Sequence, residues 1–242
     1  MTKILVISDI HSNLTALNAV LDDAGPMNET WCLGDLVGYG AEPDDCVERL
    51  SRLPNFTCLM GNHDAAVIGS LPLESFNSDA KSSIQWTLSN IKSESLDYLK
   101  NLPTIRIMGD VTLAHASPRL PIWEYILDTE TARVNILSMQ TPFAFVGHTH
   151  QPIRYSQNGQ YWVDWEIPLV GKEMPFPRTA IFNPGSVGQP RDRDPRASYA
   201  IYDDVEHTWE AHRVEYDVQA AQRAILDAGL PPRHAQRLGE GW

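Results

Sequence analysis

A short apolar strand that ends in an aspartate and a histidine constrains the fold of this chain more than any other stretch. Residues 4–7 are apolar, Asp9 and His11 follow, and an apolar pattern with helical spacing comes next. The chain therefore leaves a buried strand, turns through polar residues and enters a helix, with Ser12 or Asn13 as the N-cap. In open α/β sheets, ligands bind outside the carboxyl ends of the strands, so this carboxylate and imidazole suggest a divalent metal.

The order of the later elements predicts the architecture. Strands and helices alternate through the first third of the chain, which is typical of βαβ units and a largely parallel sheet. Asn158-Gly159 then marks a hairpin, and the later strands are mostly antiparallel. This order fits an α/β fold, a four-layer α-β-β-α sandwich of two packed mixed sheets flanked by helices. Because no linker divides the chain, we expect one domain over residues 1–242, with residues 231–242 as a loosely held tail.

Charge and cysteine content limit the partners and the compartment. The net charge of −12 argues against a nucleic-acid groove or an anionic membrane surface as partner. A small phosphorylated substrate is compatible with it, because bound metal ions reverse the local field. No apolar stretch approaches the roughly 18 residues of a transmembrane helix, and the first apolar run is too short for a signal peptide. Three cysteines without a CxxC motif favour a reducing, cytoplasmic location.

Residues with metal-binding side chains follow most of the predicted strands. Oxygen and imidazole ligands without thiolate suit Mn, Fe, Zn, Ni or Co, and we expect manganese. The candidates outnumber the protein ligands of one ion, so they favour two divalent ions about 3.5–4 Å apart. The residues are Asp9, His11, Asp35, Asn62, His63, His115, His148 and His150.

These residues fall into blocks that resemble, in the same order, the five motifs of the calcineurin-like metallophosphoesterases. The blocks are Asp9-Ile10-His11, Gly34-Asp35, Gly61-Asn62-His63-Asp64, His115 and Gly147-His148-Thr149-His150. The stretch 183–191 further resembles the small bacterial and archaeal phosphodiesterase-like branch. The resemblance covers residues 3–190 and implies a dinuclear phosphoesterase. In such an enzyme, a metal-bridging hydroxide attacks a small phosphodiester or phosphomonoester.

The resemblance also implies a role for each residue. His63 would act on the leaving-group oxygen as a general acid or transition-state stabiliser, and Asp64 would orient its ring. The first metal would be held by Asp9, His11 and His150, the second by Asn62, His115 and His148, and Asp35 would bridge both.

Each of these residues also has a purely structural explanation. Asp9 could cap the first helix, Asn62 could be a turn residue, and His115 could be a core histidine. His148 and His150 could be an exposed pair on one face of an extended segment. Metal binding is favoured because all the blocks occur together.

The residues that contact the substrate are less clearly marked. Protein phosphatases of this superfamily carry an Arg shortly after the bridging aspartate, but residues 35–40 contain none, which disfavours that type and the diadenosine-tetraphosphatase type. The candidates for contact with phosphate or the site border are instead Asn13, Tyr39, Arg119 and Arg191, followed by Arg193 and Arg196.

Several functions compete with the leading hypothesis. They are a protein phosphatase-like or nucleotide phosphatase activity, a nuclease, and a non-catalytic metal-binding scaffold such as the retromer subunit of this superfamily. That subunit lacks the acid histidine, whereas His63 is present here. The net charge and the absence of a basic patch interleaved with aromatic residues disfavour the nuclease.

Overall fold

Two six-stranded mixed sheets lie face to face, with helices on their outer sides, in a computed structural model that describes residues 3–242. The strands are β1 (Lys3–Ile7), β2 (Glu29–Cys32), β3 (Phe56–Cys58), β4 (Ile105–Met108), β5 (Val111–Ala114), β6 (Phe143–Phe145), β7 (Pro152–Asn158), β8 (Trp162–Glu166), β9 (Glu173–Pro175), β10 (Ala180–Pro184), β11 (Ala197–Asp203) and β12 (Thr208–Val214). The helices are α1 (Leu14–Ala24), α2 (Pro43–Ser51), α3 (Asn62–Val67), α4 (Ser78–Asn90), α5 (Ser93–Lys100), α6 (Thr129–Ser138), α7 (Val218–Asp227) and α8 (Pro232–Glu240), and Leu73–Ser75 form a 3₁₀ turn. The predicted four-layer sandwich is confirmed.

The sheets place several carboxyl strand ends side by side. The first sheet has the order β3-β2-β1-β11-β12-β9, and the second has the order β4-β5-β6-β10-β7-β8. Strands β1, β2 and β3 are parallel, as are β5, β6 and β10. Loops that follow parallel neighbours leave a sheet at the same edge, so residues far apart in sequence meet there.

The first strand is buried on both faces. Ile4 and Val6 point into the core between the sheets, where they meet aromatic residues such as Phe145. Leu5 and Ile7 point outwards and belong to the core beneath the helices. This double burial explains the continuous apolar run, which is the pattern of a central strand in a layered α/β fold.

The C-terminal segment differs from our prediction. We expected residues 231–242 to be a loosely held tail, whereas α8 packs against α7 and buries Ala235 and Leu238. Pro232 occupies the start of the helix, where its fixed φ angle is favourable. The apolar residues of α8 are few and lie in a polar sequence, so the helical periodicity is weak.

His234 on α8 is buried as well, and its Nε2 lies 3.1 Å from the carbonyl oxygen of Asp79. Within residues 3–242, none of the helices has the length and apolar character needed to cross a membrane.

Candidate active site

The loops after β1, β2, β3, β5 and β6 bring the predicted metal-type residues into one buried cluster. Each of these side chains is at most 4 % exposed, which is unusual for charged and polar groups unless they are paired or bind a ligand. The cluster contains Asp9, His11, Asp35, Asn62, His63, Asp64, His115, His148 and His150.

One side of the cluster is formed by Asp9, His11 and His150. The Nε2 atoms of the two histidines are 3.2 Å apart, and Asp9 Oδ1 lies 3.4 Å from His150 Nε2 and 3.9 Å from His11 Nε2. The three ligand-type atoms are close enough to share one ion.

The other side is formed by Asn62, His115 and His148. His115 Nε2 lies 3.1 Å from Asn62 Oδ1 and 3.2 Å from His148 Nδ1. Together with Asp35, the two histidines make a second group of atoms with the spacing of metal ligands.

Asp35 lies between the two sides. Its Oδ2 is 3.6 Å from His11 Nε2 and 3.4 Å from His115 Nε2, so one oxygen faces a histidine of each group. Its Oδ1 accepts a hydrogen bond of 2.8 Å from the backbone N–H of His63. This second contact helps to hold the carboxylate between the two groups.

The protonation pattern shows that the cluster fits cations. The Nδ1 atoms of His11, His115 and His150 face the carbonyl oxygens of Val37, Leu33 and Gln189 at 3.1, 3.1 and 2.6 Å. Because a carbonyl can only accept, each Nδ1 carries a proton, and in the neutral ring each Nε2 presents a lone pair to the cluster. The lone pairs then converge with carboxylate oxygens, which is the arrangement of a metal site.

The pKa values reflect the same excess of negative groups. Burial raises the pKa of Asp9 to about 7. Burial alone would lower the pKa of His115, but the neighbouring Asp35 carboxylate raises it to about 9. Two carboxylates buried this close together are costly unless positive charge compensates them.

Left-handed backbone conformations are concentrated at the cluster. Asp9, His11, Asp35, His148 and His150 have φ angles of 55°, 49°, 55°, 65° and 60°. A non-glycine residue in this region costs roughly 1–3 kcal/mol, and such residues are typical of functional sites.

Glycine allows the loops of the cluster to approach each other. A Cβ atom at Gly61 would collide with the Asp35 carboxylate, although the φ angle of −91° at Gly61 suits any residue. Close approach, rather than backbone freedom, therefore requires glycine at this position.

A family model described as the calcineurin-like phosphoesterase superfamily domain matches residues 2–206. The chain belongs to this superfamily. It is 41 % identical over 244 residues to an uncharacterized protein of Methanocaldococcus jannaschii, with 98 % of this chain and 97 % of that protein covered. The family is one of metal-dependent phosphoesterases, which agrees with the chemistry of the cluster and confirms the resemblance seen in the motifs.

Two solved structures share the fold. A metallophosphoesterase from Sphaerobacter thermophilus has a TM-score of 0.91 and 44 % identity, and covers 100 % of this chain and 99 % of its own. A hypothetical protein from Pyrococcus horikoshii has a TM-score of 0.83 and 20 % identity, and the match covers 100 % of this chain and 99 % of that one. This second match shows the common fold.

In this phosphoesterase, His63 belongs to neither of the two groups described above, but it forms a third group with His11 and Asp35 whose ligand-type atoms also have metal-ligand spacing. Its ring centroid lies 4.9 Å from that of His11, 4.5 Å from Tyr39 and 5.4 Å from Phe76. Burial in these surroundings lowers the pKa of His63 to about 4. The Nδ1 atom lies against the Gly38 loop, so Nε2 is the ring nitrogen available for contact with a ligand.

Asp64 has a different role from the one predicted. We expected its carboxylate to orient the ring of His63, but His63 Nδ1 has no hydrogen-bond partner among residues 3–242. Asp64 instead accepts hydrogen bonds from the backbone N–H groups of Leu36, Val37 and Gly61 at 2.9, 3.2 and 2.9 Å. It therefore ties the loop after β2 to the start of α3 and positions the backbone around Asp35.

The predicted substrate contacts divide into two kinds. Tyr39 borders the cluster, and the guanidinium of Arg191 lies 5.6 Å from the centre of its ring. Asn13 has both ends of its amide occupied, because it caps α1 through Ala16 N–H and donates to Gly188 O. The guanidinium of Arg119 is likewise engaged, in an ion pair with Glu124.

An aromatic rim at the second group was not found from the sequence. The ring of Tyr125 stacks on His148 with centroids 3.8 Å apart, and Trp123 lies 5.1 Å from Phe76. Tyr125 and Trp123 are 45 % and 39 % exposed. They lie in an irregular segment between β5 and α6, where no periodic pattern marks them.

Proposed function

We propose that this metal-dependent phosphoesterase is dinuclear and hydrolyses a small phosphodiester or phosphomonoester. The observation that carries the proposal is the position of Asp35, with Oδ2 3.6 Å from a histidine of one group and 3.4 Å from a histidine of the other. A shared carboxylate of this kind fits two neighbouring ions better than one.

The seven residues of the two groups would hold the ions. When bound, divalent ions supply Lewis acidity, which lowers the pKa of water and offsets the charge of the phosphate. The first ion would be held by Asp9, His11 and His150, the second by Asn62, His115 and His148, and both by Asp35.

His63 would act on the leaving group of the reaction. Its Nε2, the ring nitrogen away from the Gly38 loop, would donate a hydrogen bond from its N–H group to the oxygen of the departing alcohol. Tyr39 and Arg191 form the adjoining wall, and the guanidinium of Arg191 is suited to a phosphate oxygen. The presence of this wall and of His63 favours catalysis over a scaffold role.

The ligand set also supports the metal and compartment that we propose. Oxygen and imidazole ligands suit manganese, and no thiolate belongs to either group. Cys32, Cys46 and Cys58 are free and buried, which is compatible with a cytoplasmic enzyme.

The test combines metal analysis with hydrolysis. Purified protein loaded with Mn²⁺ is expected to contain two ions per chain and to hydrolyse bis-p-nitrophenyl phosphate or p-nitrophenyl phosphate. Asp35→Ala should lose both ions and the activity, whereas the exposed Glu48→Gln should retain them. One ion per chain, or full activity of Asp35→Ala, would refute the dinuclear site.

A further inference from the structure

Arginines from two distant segments surround one cavity beside the candidate metal site. The cavity has a volume of about 550 Å³ and is lined by Arg193, by Arg233 and Arg237 of α8, and by Trp242. The three guanidinium carbons lie 5.9, 5.3 and 5.0 Å from the ring of Trp242. We call this group the arginine pocket.

Most of the positive charge in the arginine pocket is unpaired. Within residues 3–242, Asp79, at 3.2 Å from Arg233, is the only carboxylate less than 4 Å from the three guanidinium groups. The Nε of Arg237 is buried and has no hydrogen-bond partner among residues 3–242. In a protein with a net charge of −12, a group of arginine side chains with so few carboxylate partners is unexpected unless it binds an anionic ligand.

The nearby acids are engaged elsewhere. Asp192 and Asp194 flank Arg193 in sequence, but they pair with Arg213 and Arg196 respectively. Glu240, which also lines the cavity, accepts a hydrogen bond from Gln236 at 2.9 Å. Asp192 and Asp194 are thus neutralised by other arginines, whereas Glu240 keeps its charge at the cavity without pairing with any of the three guanidinium groups.

The backbone holds Arg193 at the pocket. Its φ angle is 71°, in the left-handed region, and its N–H donates a hydrogen bond of 2.8 Å to the carbonyl oxygen of Gly241. A strained residue fixed by a contact with the end of α8 is typical of a site that is built before its ligand arrives.

The arginine pocket continues the cleft of the metal site. Arg191 lies over Tyr39, the ring of Tyr39 packs against His63, and His234 of α8 lies 5.1 Å from the same tyrosine. His234 and Arg237 are three residues apart on α8, so they project from the same side of the helix. A path thus runs from His63 across Tyr39 and Arg191 to the pocket.

We infer that the arginine pocket binds a second phosphate of the substrate whose ester is cleaved at the metal site. The inference rests on the proposed function and adds that the natural substrate carries two phosphate groups. Guanidinium groups offer forked donors that match phosphate oxygens, and three of them suit a dianion better than a single carboxylate.

The test uses two substrates that differ by one phosphate. They are the p-nitrophenyl ester of thymidine 5′-phosphate and the same ester with an added 3′-phosphate. We expect the wild type to have a lower KM for the doubly phosphorylated ester. Arg237→Gln and Arg193→Gln should each raise that KM about tenfold and leave the KM of the simple ester unchanged.

Arg196→Gln is the matched control, because Arg196 belongs to the same loop but is paired with Asp194. It should leave the KM of both esters unchanged. Equal KM values of the wild type for the two esters, or equal effects of Arg237→Gln on both, would overturn the inference.

A second measurement separates this inference from the proposed function. If neither ester is hydrolysed, the proposed function has failed, and calorimetric titration with thymidine 3′,5′-bisphosphate and thymidine 5′-phosphate tests the pocket alone. Tighter binding of the bisphosphate that is lost in Arg237→Gln would support the arginine pocket. Equal binding of the two compounds by the wild type would refute it.

Discussion

The floor and the rim of the cleft are built in different ways. The floor consists of the metal-type residues, which follow strands of both sheets and are almost fully buried, and five of them have left-handed backbones. The rim consists of Tyr125, Trp123, Arg191 and the arginine pocket, which lie on loops and on α8 and are partly exposed. A rigid floor suits chemistry that needs fixed ligands, whereas a rim of long side chains suits recognition of different substrates.

The largest expected difference between floor and rim is in the catalytic rate. His63→Asn should lower kcat by about 10²- to 10⁴-fold, because it would remove the group that we propose acts on the leaving oxygen. The Asp9–His11–His150 and Asp35–His115–His148 groups do not include His63, although His63 also lies within ligand spacing of His11 and Asp35, so we expect the metal content to stay unchanged. Steady-state kinetics and metal analysis check both points.

His212→Asn is the matched control for this variant, because His212 stacks on Tyr199 away from the cluster. Its kcat should equal that of the wild type. Loss of both ions from His63→Asn would show that His63 is a metal ligand rather than a group that acts only on the substrate.

The floor should also be intolerant of a single added methyl group. Gly61→Ala should lower the free energy of unfolding by about 1–3 kcal/mol, because the new Cβ collides with the Asp35 carboxylate. We expect bound metal to fall as well, measured beside thermal unfolding. Gly239→Ala lies in α8 against only the flexible end of Gln222 and should leave both unchanged. A stable, metal-replete Gly61→Ala would contradict a rigid floor.

The rim should affect binding more than rate. Tyr125→Ala removes a ring that stacks on His148, an interaction of about 0.5–1.5 kcal/mol, and should raise KM about two- to tenfold with little change in kcat. Tyr161→Ala, on the exposed hairpin, provides the control and should have no effect. A fall in kcat with unchanged KM would place Tyr125 with the floor instead.

The smallest effect concerns Asn13, which lies close to the floor but caps α1. Asn13→Ala should cost about 1 kcal/mol of stability and leave KM unchanged, because both ends of the amide already have partners. Asn77→Ala removes the equivalent cap of α4 and should cost a similar amount. A specific rise in KM for Asn13→Ala would restore its predicted contact with phosphate.

The sequence revealed the floor because its chemistry is concentrated in short blocks at the ends of apolar strands. Asp9 with His11, or His148 with His150, can be recognised without knowledge of the tertiary structure. The layered fold could be predicted for the same reason, since strand order and hairpin signals are local.

The rim could not be predicted, because its residues acquire their positions from long-range packing. Arg237 reaches the cleft only because α8 folds onto α7, and α8 has few apolar residues to indicate this. The role of Asp64 was missed for a similar reason. Two of its three partners are backbone N–H groups of a loop about 28 residues away, and backbone groups leave no mark in the composition.

The pairing of β1 with β11 has a consequence for how the protein reaches this state. Lys3 lies opposite Asp203, so the first strand gains its second neighbour only after some two hundred residues have been synthesised. Until then, the backbone N–H and C=O groups along one edge of β1 are unpaired in the nascent chain. Contacts of such long sequence separation slow folding and prolong the time during which a chain can aggregate. The strand that precedes Asp9 and His11 is therefore among the last to be completed, and catalytic competence should coincide with the end of folding.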